Sequence, residues 1–123
     1  MISVKEIPDD IAQKMKNEGT IIPDLYSKSP LTAIVLTQSW CPQWENMKKM
    51  FSELQTESSS AGDINIWFIE YDKKPYFEEF MNFKESVFEN DQVPFVLYYC
   101  KDALVNQSNF VSKASFLENF KEA

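Results

Sequence analysis

The stretch LTAIVLTQSWCPQWENMKKMFSEL, residues 31–54, constrains the fold more than any other part of the chain. Its opening, LTAIVLTQ (31–38), is apolar and β-branched without strict alternation, the pattern of a strand buried on both faces. Such a strand belongs inside a sheet that carries helices on each side. Pro42 is a good first-turn residue for a helix, and Trp44, Met47, Phe51 and Leu54 follow at i, i+3, i+7 and i+10, one stripe facing a core. Between strand and helix lies Trp40-Cys41-Pro42-Gln43-Trp44, so a cysteine stands at the start of a helix. At that place unpaired N–H groups and the positive end of the helix dipole favour thiolate over thiol. Three residues on, where a second cysteine would close a C-x-x-C pair, stands Trp44.

The flanking sequence supplies the neighbours this strand needs. SVKEI (3–7) reads as a short strand, and Pro8 opens a helix with Asp9 and Asp10 near its positive end, Ile11, Ala12 and Met15 on one face, and Gly19 as its stop. TIIPDLYSKSP (20–30) is irregular, with room for one helical turn, and QTESSSAGD (55–63) reads as a solvated loop. INIWFIEYD (64–72) is a second central strand. Pro75 begins a helix through about Asn90 with Phe77, Phe80, Met81, Val87 and Phe88 on its apolar side. QVPFVLYYC (92–100) is a third strong strand, paired as a hairpin through Lys101-Asp102 with ALVNQSNFV (103–111). Ser112 caps a last helix, KASFLENFKEA, whose Phe116, Leu117 and Phe120 dock on the sheet. Strands alternating with helices, then a hairpin, predict an α/β fold: a mixed central β-sheet flanked by helices on both faces, as one domain over residues 1–123.

Composition removes several functions. With only two Gly there is no glycine-rich phosphate loop. The basic residues are all Lys; without His there is no His-based triad, Cys-His dyad or His-ligated zinc, and two cysteines cannot build a usual structural zinc site. The net charge of -7 argues against nucleic acid and anionic membrane as partners. No apolar run approaches the ~20 residues of a membrane span, and acids and lysines occupy the place of a signal's apolar core in MISVKEIPDDIAQKMKNEG. The expected compartment is the cytoplasm, where thiols stay reduced. Asp72 with Asp63 or Asp91 has no metal-ligand spacing, and Glu78, Glu79, Glu85 and Glu89 read as a solvated helix face, so neither a metal nor a cofactor is expected.

The chain resembles the thioredoxin superfamily. Three features carry the resemblance: the buried strand running into Trp40-Cys41-Pro42-Gln43-Trp44, similar to the family's W-C-x-x-C turn; Val93-Pro94 at the head of a strand, similar to its cis-proline; and the closing hairpin and helix. The resemblance covers nearly the whole chain, with 20–30 and 73–91 fitting least well. It implies that Cys41 is the catalytic thiol and that Trp40, Pro42, Gln43, Trp44, Val93 and Pro94 form the binding surface for an extended protein or peptide. It also shows three departures. Trp44 replaces the resolving cysteine, and the family's buried acid and its lysine partner fall on Val35 and Phe68. Without a resolving thiol a buried proton acceptor has no task and is costly to desolvate, so the three changes are coherent.

Two readings follow. In the first, Cys41 is an accessible thiol that exchanges with protein or peptide disulfides through mixed disulfides, which glutathione or a partner thiol then releases. In the second, the chain is a non-catalytic thioredoxin-fold module that binds a protein or peptide in the same groove. The first is placed ahead, because a pure binder does not need an activated cysteine. Cys100, six residues beyond Pro94 along an extended strand, is a poor resolver at roughly 20 Å. Trp44 fits the core better than a surface, whereas Trp40 is expected to be exposed. A peroxidase reading is weaker, since Gln38 stands where Thr or Ser is wanted and Arg is absent.

Overall fold

In the computed structural model, which describes residues 2–56 and 63–120, the buried strand becomes β2 (Leu31–Thr37) at the centre of a five-stranded sheet. The other elements are β1 (Ile2–Glu6), α1 (Asp9–Glu18), α2 (Pro42–Thr56), β3 (Ile64–Glu70), α3 (Phe77–Phe88), β4 (Phe95–Cys100), β5 (Ala103–Ser108) and α4 (Lys113–Glu118), with single 3-10 turns at Pro23–Leu25 and Tyr71–Lys73. Most of the loop read over 55–63, and residues 121–123 of the last helix, fall outside the described residues.

The sheet order is β1-β3-β2-β4-β5. β1 and β2 run parallel to β3, while β4 runs antiparallel to both β2 and β5, which makes the sheet mixed. Alternation along β2 and β4 divides the core. Ile34, Leu36, Phe95, Leu97 and Tyr99 face Ala12 and Met15 of α1 and Phe80 and Phe83 of α3. Ala33, Val35, Val96 and Tyr98 face Trp44, Met47 and Phe51 of α2 and Phe116 of α4. Both faces of the central strands are therefore covered, the state their unbroken apolar runs call for.

The helix ends follow local chemistry. Gly19, at φ 71°, closes α1 with its N–H on the Met15 carbonyl at 2.8 Å, a left-handed stop that glycine adopts without steric cost. Ser112 Oγ accepts the Ser115 N–H at 3.3 Å and caps α4. Several boundaries differ from expectation. The second central strand ends at Glu70 because Tyr71–Lys73 turn tightly, and α3 starts at Phe77 rather than Pro75. α3 stops at Phe88, where Glu89 takes a left-handed conformation at φ 51°. The strand read from Gln92 begins only at Phe95, since residues 90–94 form a loop. Val87 lies off the apolar stripe of α3 and is exposed.

α4 spans only Lys113–Glu118, too short to hold without tertiary packing. Its anchor is Phe116, fully buried, with ring centroids 5.0 Å from Phe51, 5.7 Å from Tyr98 and 5.4 Å from Phe120. Phe116→Ala is expected to lower the unfolding free energy by about 3–5 kcal/mol in a denaturant titration, the usual cost of emptying an aromatic core site.

Candidate functional site

β2 delivers the chain to the sheet's end, and four residues later α2 begins. The turn between them is pinned from β3's side. Asp72 accepts the Ser39 N–H at 2.8 Å and the Ser39 hydroxyl at 2.6 Å, and the Gln38 amide donates to the Tyr71 hydroxyl at 3.3 Å. Cys41 then takes the N-cap place: its carbonyl accepts the Glu45 N–H at 3.2 Å, and its own N–H reaches the Gln38 carbonyl at 3.4 Å. Across from it the Val93–Pro94 peptide bond is cis, and the Cys41 thiol donates to the Val93 carbonyl at 3.5 Å.

Trp40, Cys41, Pro42, Gln43 and Val93 share one open cleft of about 420 Å³ with Gln38, Asp91 and Gln92. Trp40 stands out from its rim, 64% exposed. Two expected site residues do not line the cleft. Pro94 is buried behind Val93, with its carbonyl accepting from the Asn109 amide at 3.1 Å. Trp44 is wholly buried, its ring 5.5 Å from Phe68 and 6.2 Å from Phe51, so it supplies core rather than contact surface. The expectation of an accessible thiol is also corrected: Cys41 is 4% exposed. It packs in the core cluster that holds Val35 and Trp44, with the Val93 carbonyl across its sulfur. Cys100 lies at the opposite end of the sheet, paired with Leu31 where β2 begins, and its thiol donates to the Phe120 carbonyl at 3.0 Å.

Val35 and Phe68 are register partners across β2 and β3. One step further along β3, on the same face as Phe68, stands a buried carboxylate that the sequence reading passed over. Glu70 accepts the Trp44 indole N–H at 2.8 Å and pairs with Lys48 at 3.3 Å and Lys73 at 3.2 Å. Burial alone would push this carboxyl up; the bonds from Trp44, Lys73 and Lys48 together outweigh it and hold the carboxyl below its ordinary value. Its signal was period two: Ile66, Phe68 and Glu70 share a strand face.

The second residue missed is Lys84. It belongs to the α3 stripe, at i+7 from Phe77 and i+4 from Phe80, and its side chain is wholly buried. Its ammonium donates to the Gln92 carbonyl and, at 3.1 Å, to Asn90 Oδ1, and it lies 5.5 Å from the centre of the Phe95 ring. Burial pushes this ammonium down to about 8 from 10.5, against the pull of Glu85 and Asp91. Asn90 Oδ1 also accepts the Gln92 N–H at 2.9 Å, and Asn90 and Asn109 exchange amide bonds at 3.2 and 3.3 Å.

Comparison with known proteins adds to this geometry. No protein-family profile matches the chain, and no curated protein matches it. Solved structures do. Thioredoxin O2 of Arabidopsis thaliana in its oxidised state superposes with a TM-score of 0.62 at 10% identity, covering 94% of this chain and 89% of that one. Trxlp of Edwardsiella tarda gives 0.61 at 12% identity, covering 97% and 99%. A mutant thioredoxin of Halobacterium salinarum gives 0.60 at 10% identity, covering 94% and 85%.

The chain has the thioredoxin fold. Within that fold, Cys41 occupies the turn from β2 into α2 and faces the loop that opens β4.

Both buried charges leave a pH signature. Trp44→Phe removes one donor to Glu70 and is expected to cost about 1–3 kcal/mol at neutral pH. Because Glu70's carboxyl is lowered in the fold, its contribution is lost as pH falls, so the gap to the parent protein narrows below the ordinary value of 4.5. Lys84, whose folded-state pKa is also lowered, acts with the same sign at alkaline pH. Between about 8 and 10.5 the unfolded chain holds a proton that the folded one has released, so stability from this group rises with pH across that interval. Unfolding measured against pH should show that rise in the parent protein and lose it in Lys84→Met.

Proposed function

We propose that this chain exchanges thiols and disulfides with protein or peptide partners through the single sulfur of Cys41. The observation that carries the reading is the placement of that sulfur: at the N-cap of α2, on the floor of an open cleft, 3.5 Å from the Val93 carbonyl. In the proposed step the Cys41 thiolate attacks one sulfur of a substrate disulfide. A mixed disulfide forms at Cys41, and the other substrate sulfur leaves as a thiolate. Trp44 stands where an internal thiol would complete the reaction, so release falls to an outside thiol, glutathione or the partner's own, in a reducing compartment such as the cytoplasm. Trp40, Pro42 and Gln43 on one rim and Val93 on the other would hold the substrate as an extended segment, with Pro94 backing the loop. Asp91 is the charged group among the lining residues, and the chain carries a net charge of -7, which together favour neutral or basic partners.

The near-complete burial of Cys41 supports a second reading, a module that binds a peptide in this cleft without chemistry. One experiment separates them. Protein carrying Cys100→Ser is mixed with oxidised glutathione and, separately, with a basic peptide containing a disulfide; intact mass and Trp40 fluorescence are read, with Trp40→Phe as the control. The exchange reading expects one adduct per chain, reversed by dithiothreitol and absent in Cys41→Ser. Peptide-dependent fluorescence without an adduct would establish the binding module instead. Neither signal would overturn both.

A further inference from the structure

Lys84 is a buried ammonium whose polar partners, among the described contacts, carry no charge: a backbone carbonyl and a side-chain amide oxygen. Taking an ammonium out of water costs several kcal/mol unless its surroundings compensate, and a Met of similar length would fill the same space without that cost. Packing alone therefore does not account for a charge here. What the charge touches does. Its Nζ donates to residues 90 and 92, in the segment that leads into Val93. Asn90 passes the restraint on, binding the Gln92 N–H with the same Oδ1 that receives Lys84, while Asn109 ties Asn90 to the Pro94 carbonyl. On the outer side of this segment, Asp91, Gln92 and Val93 line the cleft. The Val93 carbonyl, one peptide unit beyond the carbonyl that Lys84 holds, is the one set against Cys41 Sγ.

We propose that Lys84 is a positioning residue of the cleft: by gripping the Gln92 carbonyl and Asn90 from beneath, it fixes the 90–94 loop so that the Val93 carbonyl covers the Cys41 sulfur and the Val93 backbone is set to meet an extended peptide. The last clause rests on the exchange reading above; the first does not. The charged groups that face Lys84 are Glu85 on its own helix and Asp91 on the loop, and neither reaches it as an ion pair among the described contacts. Position on the loop is thus governed by the carbonyl and amide contacts.

The test reads Cys41 in the free protein. In a Cys100→Ser background at neutral pH, iodoacetamide alkylation of Cys41 is timed for the parent, Lys84→Met and Lys84→Arg, with circular dichroism confirming the fold of each. Losing a hydrogen bond from a charged donor loosens the loop, and alkylation in Lys84→Met is expected to be at least about tenfold faster. Lys84→Arg keeps a charged donor and should stay near the parent rate. A folded Lys84→Met that alkylates at the parent rate would reduce Lys84 to core filling and overturn the proposal, as would equal acceleration in the Met and Arg variants. Should Lys84→Met fail to fold, Asn90→Ala, which leaves the ammonium but removes its link to the Gln92 N–H, is read the same way. The two ideas fail separately. A Lys84 effect with no mixed disulfide and no peptide binding sinks the exchange reading alone, and mixed disulfides without a Lys84 effect sink this inference alone.

Discussion

The burial of β2 on both faces is the constraint from which the rest follows. Residues 32–37 are all buried, between β3 on one side and β4 on the other. A strand with no wet face gets little help from polarity in fixing its register, so side-chain size has to do it. The small residues Ala33 and Val35 turn toward α2, which brings its largest groups, Trp44 and Phe51. The larger Ile34 and Leu36 turn toward α1 and α3. A slip of one residue would set Ile and Leu against the indole and leave room on the other face. With the register held, the strand's last residue is fixed, and with it the place where Cys41 emerges.

The same end of the sheet carries the buried charges. Glu70 ends β3, register partner of Thr37, and Lys84 lies against Phe95, register partner of Leu36. One charge lies on the α2 face and the other on the α3 face, so they do not neutralise each other; each is committed to a separate piece of the site. Glu70 ties the first turns of α2 to the sheet through Trp44 and Lys48. Lys84 ties the 90–94 loop to α3. Apolar packing is non-directional and sets position only coarsely. Hydrogen bonds to charged groups have narrow geometry, and they are used here on the two segments that bracket the cysteine.

Much of the fold was legible because it rests on periodicity. The central strands, the start of α2 at Pro42, the Gly19 stop and the Ser112 cap follow from patterns within a few residues. The site was legible only in part. Trp40 at the rim, Gln43 and Val93 could be placed from the turn and its resemblance. The burial of Cys41 could not, since it depends on how closely the 90–94 loop approaches, and that is set by contacts reaching across long stretches of chain. Neither Lys84 nor Glu70 was singled out in the sequence. One lies among the phenylalanines of an apolar helix, and the other follows Ile69 inside a strand read as central. Both broke a pattern, and at a buried position a broken pattern is where a directional contact replaces packing.

Trp44 decides what the carboxylate beneath the helix can do. An indole N–H and two ammonium groups favour the ionised form of Glu70. It clamps the helix that carries Cys41. On the exchange reading proposed above, such a site keeps one sulfur in place and supplies neither a second sulfur beside it nor this carboxylate to a dithiol cycle. Under that reading, a mixed disulfide at Cys41 would last until another molecule's thiol breaks it, and its lifetime would be set by the reducing power around the protein rather than by the protein itself.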